Sequence, residues 1–255
     1  MVACFALVMV SATPAAIACP GIVTGHVVDG ETGRPAPGIS IAVIPLDAVN
    51  EAEMLGDRPP AEAMVTTTDD SGHFSVASPR SPFLLDAYGR PTGRVTFHGR
   101  FRAGDVGTIR LLRPTRDERA ALTQLNAFRA AHGITATLGF DENLMESARY
   151  WAALEGRAQR IGHTCAALDN PQGCVEFNVF YHRLPGAPRD WLCGQNAAFD
   201  TVSSWIDPDQ GFEDEEHQTS GERGHYINIV SANRWIGFGK VGVPGVGTYF
   251  AMNVL

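Results

Sequence analysis

The chain has 255 residues, of which 44% are hydrophobic and 19% charged. That is the balance of a soluble globular protein with enough apolar material for more than one core. Its formal net charge is -8, with 20 Lys and Arg against 28 Asp and Glu. This gives none of the basic surface that nucleic-acid binding requires, so a nucleic-acid partner is excluded and the acidity serves solubility.

Residues 1–18 contain no charge and run from an apolar core (Phe5 to Val10) into small residues, with Ala16 and Ala18 in Ala-x-Ala spacing. That pattern is expected of a secretory signal cleaved before Cys19, and the stretch is too short for a confident membrane span. The protein is therefore expected to be secreted or periplasmic, and not transmembrane once the signal is removed. Cys19 would head the mature chain, where a bacterial lipoprotein carries its lipid. The preceding Ala-Ile-Ala lacks the usual Leu, so lipid anchoring at Cys19 stays open. Cys165, Cys174 and Cys193 share one loop-rich region, and in an oxidising compartment two of them are expected to pair. Cys165 with Cys174 is the preferred pair, leaving Cys193 free or joined to Cys19.

Residues 19–113 read as all-β. Val23, Val27 and Val28 mark a first strand, and Asp29 to Pro35 is dense in turn formers. Ile39, Ile41 and Val43 alternate with Ser40 and Ala42 as in a half-buried strand. A polar excursion, Asp47 to Ala63, reads as an inserted loop. Val65 to Thr68, then Phe74 with Val76, Val95 with Phe97, and Ile109 with Leu111 supply further short strands. Short strands with regular turns predict a sandwich. His26, His73 and His98 are scattered and read as lone surface or strand histidines.

Residues 114–255 change pattern. Thr115 and Glu118 form a capping box, and Leu122, Leu125 and Phe128 lie on one helical face up to Gly133. Asp141 is expected to cap a second helix with Leu144, Ala148, Trp151 and Leu154 buried, ending near His163. A third helical stretch is expected over Ala197 to Ile206. Trp235 to Val241 and Thr248 to Met252 read as two strands joined by a Pro/Gly turn. The fold class is thus α+β: an all-β sandwich, then a sheet covered by helices.

The first half resembles the carboxypeptidase regulatory-like (transthyretin-like) β-sandwich. The residues that carry this are Gly25-His26-Val27-Val28-Asp29, Thr32-Gly33-Arg34-Pro35 with Pro37-Gly38, Thr68 to Phe74, and Gly107 to Leu111. Such domains assist folding or hold a partner. The second half resembles the CAP superfamily (cysteine-rich secretory, antigen 5 and pathogenesis-related 1 proteins), which implies an α-β-α sandwich. The match lies in Leu125 to Gly133, in Asp141 to Leu144 with Ala148 to Ala152, and in Cys193-Gly194-Gln195-Asn196. It continues in the Gly224 to Val230 stretch, matched to the family's Gly-His-Tyr strand, and in Ile236 to Gly239.

The resemblance places His163 and His225 in the family's groove, where imidazoles can hold a divalent ion such as Zn²⁺ if water or carboxylate completes the set. Gln195 and Asn196 would line the same groove. Gln195 stands where the family has Glu, and an amide cannot take a proton as a general base. Near Trp205, Pro208 neighbours the place of the second Glu, and Asp207, Asp209 or Glu213 are the candidate replacements. The acidic run Asp207 to Glu216 lacks EF-hand spacing and reads as a solvated loop. The leading expectation is a non-catalytic exported protein binding a lipid-like ligand, a divalent metal or an envelope or partner component. A metal- or His-dependent hydrolase is the second reading, although no Gly-x-Ser-x-Gly or His-Glu-x-x-His motif is present. A purely structural cell-surface interaction module is the third.

Overall fold

The computed structural model describes residues 21–45, 59, 61–78, 82–102, 104–169, 174, 224–231 and 234–255, and the backbone of 194–200. The expected signal segment, Cys19, Cys193, Trp205, Asp207, Asp209 and Glu213 lie outside the described residues, as does most of the excursion from Asp47. The described chain is mixed α+β, with three sheets and three α-helices.

The first half is a two-sheet sandwich. One sheet has the order β4-β1-β7, from β1 (Ile22–Asp29), β4 (His73–Ala77) and β7 (Gly104–Leu111). The other has the order β3-β2-β5-β6, from β2 (Ser40–Pro45), β3 (Met64–Thr67), β5 (Phe83–Tyr88) and β6 (Phe97–Phe101). Val23, Val27, Phe74 and Ile109 from the first sheet share one core with Ile41, Val43, Phe83, Leu85 and Phe97 from the second. Inward residues at every second position of facing strands are what a sandwich requires. The turn glycines Gly33, Gly38, Gly72 and Gly107 all take positive φ. At Gly72 a Cβ would also come within 2.3 Å of the Val27 carbonyl oxygen, so the strand reversal there admits no side chain.

Two expectations are corrected here. β2 is not half-buried: Ala42 and Ile44 pack with Leu84 and Tyr88 on the side away from the main core. β5, buried at every position, was not expected, because a strand covered on both faces shows no alternation.

The second half is built on the sheet β8-β10-β11-β9, from β8 (Gly139–Phe140), β9 (Gly194–Asp200), β10 (Trp235–Val243) and β11 (Gly247–Val254). β10 and β11 form the expected hairpin, in register from Ile236–Val254 to Val243–Gly247. Helix α1 (Arg116–Ala131) starts with the expected box: the Glu118 N–H donates to Thr115 Oγ1 and the Thr115 N–H to Glu118 Oε2. Helix α2 (Glu142–Ala158) is capped by Asp141, whose Oδ1 accepts from the Leu144 N–H at 3.0 Å.

Helices flank the sheet on both faces. α2 lies so close to Gly237 and Gly239 of β10 that a Cβ on either would strike the α2 backbone. Ile236 and Phe238, which alternate with those glycines, share a core with Ala121 and Leu125 of α1 and with Ile229.

Two further expectations fail in the same region. Ala197 to Asp200 belongs to strand β9, paired with β11, rather than to a helix; Thr201 to Ile206 lies outside the described residues. Conversely, Gly224–Val230 is a short helix, α3, and not a strand. The resemblance implied a strand, but Tyr226 meets Phe128 and His132 while Ile229, three positions on, enters the core, and that is helical spacing.

Candidate functional site

The four expected groove residues arrive on three separate elements. His163 follows α2. Its position is set through Gly162, which α2 grips on both sides. The Gly162 N–H donates to Glu155 Oε1 at 3.3 Å, and Trp151 Nε1 donates to the Gly162 carbonyl at 2.8 Å. The chain can fold back there because Gln159 closes the helix in a left-handed conformation, with φ 49°. Just beyond His163, which is exposed, Cys165 bonds to Cys174 as expected, and Cys165 and Leu168 pack on Ala148, Trp151 and Leu154.

His225 lies near the start of α3 and is half-buried. α3 is fastened by Arg129, a fully buried α1 residue whose Nη1 donates to the carbonyls of Ile229 and Ser231. Its Nε and Nη2 both reach the Ala136 carbonyl. Gln195 and Asn196 lie on β9, in register with Asn253 and Met252 of β11. α3 packs against β9, so the structure brings the His225 helix onto the strand of Gln195 and Asn196. The His163 turn comes from α2, on the opposite face of the sheet.

Two imidazoles do not make a metal centre, and among the described residues no three His, Cys, Asp or Glu side chains converge as ligands. The acids expected to complete the set, Asp207, Asp209 and Glu213, lie outside the described residues. Among the described residues the donor set does not by itself fit Zn²⁺.

Glu155 is a buried support of the His163 turn that sequence reading misses. It is fully buried, and its Oε2 has no hydrogen-bond partner among the described residues. Burial pushes its carboxyl up to about 8, against the opposing effect of the Gly162 N–H bond. Its place on α2, one turn after Trp151, gave no signal that it would hold the turn before His163.

The sequence reads His98 as a lone surface or strand histidine. It is a strand residue but not a lone one. Its Nδ1 lies 2.8 Å from Asp86 Oδ1, both residues are buried, and the Tyr88 hydroxyl donates to Asp86 Oδ2 at 2.9 Å. Its ring lies 4.4 Å from that of Trp235, tilted by 58°, from the second half of the chain. Burial disfavours the charged ring, yet the Asp86 carboxylate outweighs it, with a smaller contribution from Asp141, so the His98 pKa is raised. Asp141, buried and with Oδ2 unpartnered among the described residues, is pushed up to about 6, chiefly by burial.

This cluster is sealed from solvent and joins the two halves. Around it the Glu142 N–H donates to the Thr96 carbonyl at 2.7 Å, and Asn143 Nδ2 donates to the His98 carbonyl at 3.0 Å. Asp29 Oδ2 receives Arg113 Nε at 3.0 Å and lies 3.2 Å from Arg94. Burial opposes ionisation of Asp29, but the Arg113 and Thr32 hydrogen bonds and the Arg94 charge hold its carboxyl well below the usual range. The expected boundary at 113/114 thus falls where backbone and side chains are bonded to both halves.

Among the described residues no helix is long and apolar enough to cross a membrane. No family model and no curated protein matches the chain. Among solved structures it is similar to an outer surface protein of Borrelia burgdorferi, at 14% identity and a TM-score of 0.42 over 55% of this chain and 92% of that one. It is also similar to a shaft pilin of Lactobacillus rhamnosus GG, at 17% identity and a TM-score of 0.30 over 38% of this chain, where it spans about half of the pilin, 48%. A third similarity is to the 5-hydroxyisourate hydrolase of Klebsiella pneumoniae, at 18% identity and a TM-score of 0.25 over 36% of this chain and 86% of that one.

Proposed function

We propose that the chain is an exported, non-catalytic binding protein, with a regulatory-like β-sandwich joined to a CAP-type α-β-α unit. In this reading it takes a lipid-like ligand or an envelope component in or beside a groove bordered by His225, Gln195 and Asn196, with His163 held on the α2 face of the same sheet. The observation that carries this reading is the packing of the His225 helix on the strand of Gln195 and Asn196, with the turn before His163 clamped by Trp151 and Glu155. Both histidines are thereby held by structure, as binding requires. The Cys165–Cys174 bridge supports export, because disulfides persist in oxidising compartments. Gln195 supports binding over hydrolysis, since its amide cannot accept a proton as a general base.

The test uses the full mature chain and two probes, Zn²⁺ and a fluorescent fatty acid, titrated into the wild type, His163→Ala and His225→Ala. The expected result is a loss of at least about tenfold in affinity for one probe in His225→Ala, about 1.4 kcal/mol, while His163→Ala reports whether the α2 face takes part. If both probes bind both variants as they bind the wild type, the groove is not the binding site. Metal dependence confined to Zn²⁺ would identify the ligand as the divalent ion.

A further inference from the structure

A cavity of about 200 Å³ lies between β6 and β7 of the sandwich and the first two turns of α2. None of the groove residues lines it. Phe97, Phe101, Val106 and Ile109 form an apolar wall, and Glu142, Asn143, Glu146 and Arg110 face it.

Glu142 is 3% exposed. Its Oε2 accepts from the Leu112 N–H at 2.7 Å, while its Oε1 is buried without a hydrogen-bond partner among the described residues. Leaving a buried acceptor unpaired costs about 1–3 kcal/mol, and native folds satisfy nearly all such groups. An external donor is the simplest partner for an orphan acceptor that borders a cavity.

The charges around the cavity indicate what kind of donor. Arg110 is the cation on the wall, and its Nη2 donates to the Gly30 carbonyl at 2.5 Å. Arg149, whose charge also reaches Glu142 and Glu146, is bonded to Glu118 at 2.9 and 2.8 Å. With both glutamates ionised the lining is therefore one positive charge short of neutral. Burial pushes both carboxyls upward, and at Glu142 the neighbouring Glu146 adds to the shift. A bound cation reverses that penalty. The apolar wall and the two carboxyls do not suit a bare divalent ion, which needs more oxygens. The volume lies below the roughly 300–1,000 Å³ of pockets for drug-sized ligands, so the occupant is short.

We propose that this cleft binds a small primary alkylammonium ligand, its N–H groups donating to Glu142 Oε1 and Glu146 and its alkyl chain lying along Phe97, Phe101, Val106 and Ile109. The proposal is independent of the groove reading.

The test is calorimetric titration of the full mature chain with n-pentylammonium, with n-pentanol as the uncharged counterpart. The expected result is saturable binding of the ammonium, with the alcohol at least about tenfold weaker. Glu142→Gln and Glu146→Gln should each weaken the ammonium at least about tenfold, while His163→Ala and His225→Ala leave it unchanged. Glu146 is half-buried, so its variant tests the site even if Glu142→Gln fails to fold. Absence of saturable binding, equal affinity for the alcohol, or unchanged affinity in a folded Glu146→Gln variant would overturn the proposal. A loss in the two histidine variants would also overturn it, by placing the ammonium in the groove.

Discussion

Replacing Gly237 by Ala should destabilise the second half severely, whereas Ala at Gly242, five positions along the same strand, should not. A Cβ at Gly237 would lie 2.0 Å from the Leu144 carbonyl carbon, 2.1 Å from its oxygen and 2.4 Å from the Met145 nitrogen. Ordinary contact begins at 3.4 Å, so α2 would have to retreat by about 1.4 Å (3.4 less 2.0). These are backbone atoms, and no rotamer change relieves them. Nor is α2 free to move. Its first residue is bonded to Thr96, and its far half grips Gly162. Overpacking costs typically about 1–3 kcal/mol, and a backbone clash takes the upper end. At about 2–4 °C per kcal/mol for a chain of this size, the melting temperature should fall by about 6–12 °C. Nothing lies within 4 Å of a Cβ at Gly242, and a change at such an open position stays within about 0.5 kcal/mol. The assay is thermal melting followed by circular dichroism and by the fluorescence of the buried Trp151 and Trp235. Midpoints within about 2 °C of one another for the two variants would refute the close approach of α2 to β10.

Glu155→Gln should remove a pH dependence of stability. The folded carboxyl titrates near 8 against an ordinary 4.5, so its stability contribution is full below about pH 4.5 and drains away as pH rises through about 8, by up to about 1.4 kcal/mol per pH unit. Chemical denaturation at pH 4.5 and pH 8 should show the wild type losing stability relative to the variant, and parallel profiles would disprove the burial argument. Replacing both Cys165 and Cys174 by Ser should cost about 2.6 kcal/mol, from the loop closed by a separation of 9 residues. A loss under about 1 kcal/mol by the same assay would show that the bridge does not constrain the unfolded chain.

What was legible in the sequence was local. Thr115 with Glu118, and Asp141 before Leu144, announce helix starts because a cap is made within three residues. The β10–β11 hairpin is likewise written in one short stretch. The failures share a cause in tertiary context. β5 carries no alternation, because both its faces are covered, and Asp86 in its middle looks like a loop residue until His98, twelve positions on, is placed beside it. The stretch from Ala197 is strand because β11 pairs with it, and the Gly224–Val230 stretch is helix because Phe128, His132 and the core take one side of it. Of the site, the sequence offered candidate side chains but not their supports: Glu155 and Trp151 hold the backbone of Gly162 beyond the end of their own helix, Arg129 holds carbonyls about a hundred residues on, and no motif records that.

Trp151 and Glu155 lie on α2, and that helix is bonded to both halves of the chain. Its first turns, Asp141 to Glu146, close on the sandwich and form a wall of the cavity. Its middle, Leu144 to Ala148, rests on Gly237 and Gly239. Its last turns hold Gly162, and so His163. Interiors this closely packed transmit displacement rather than absorb it. The sealed His98–Asp86 pair lies at the other end of this arrangement, where it fixes the sandwich against Trp235 and the Asp141 cap. Both side chains are almost wholly buried, and their charge serves the joint between the halves. The sandwich is therefore a footing for α2, and through α2 for the cavity and for the His163 turn.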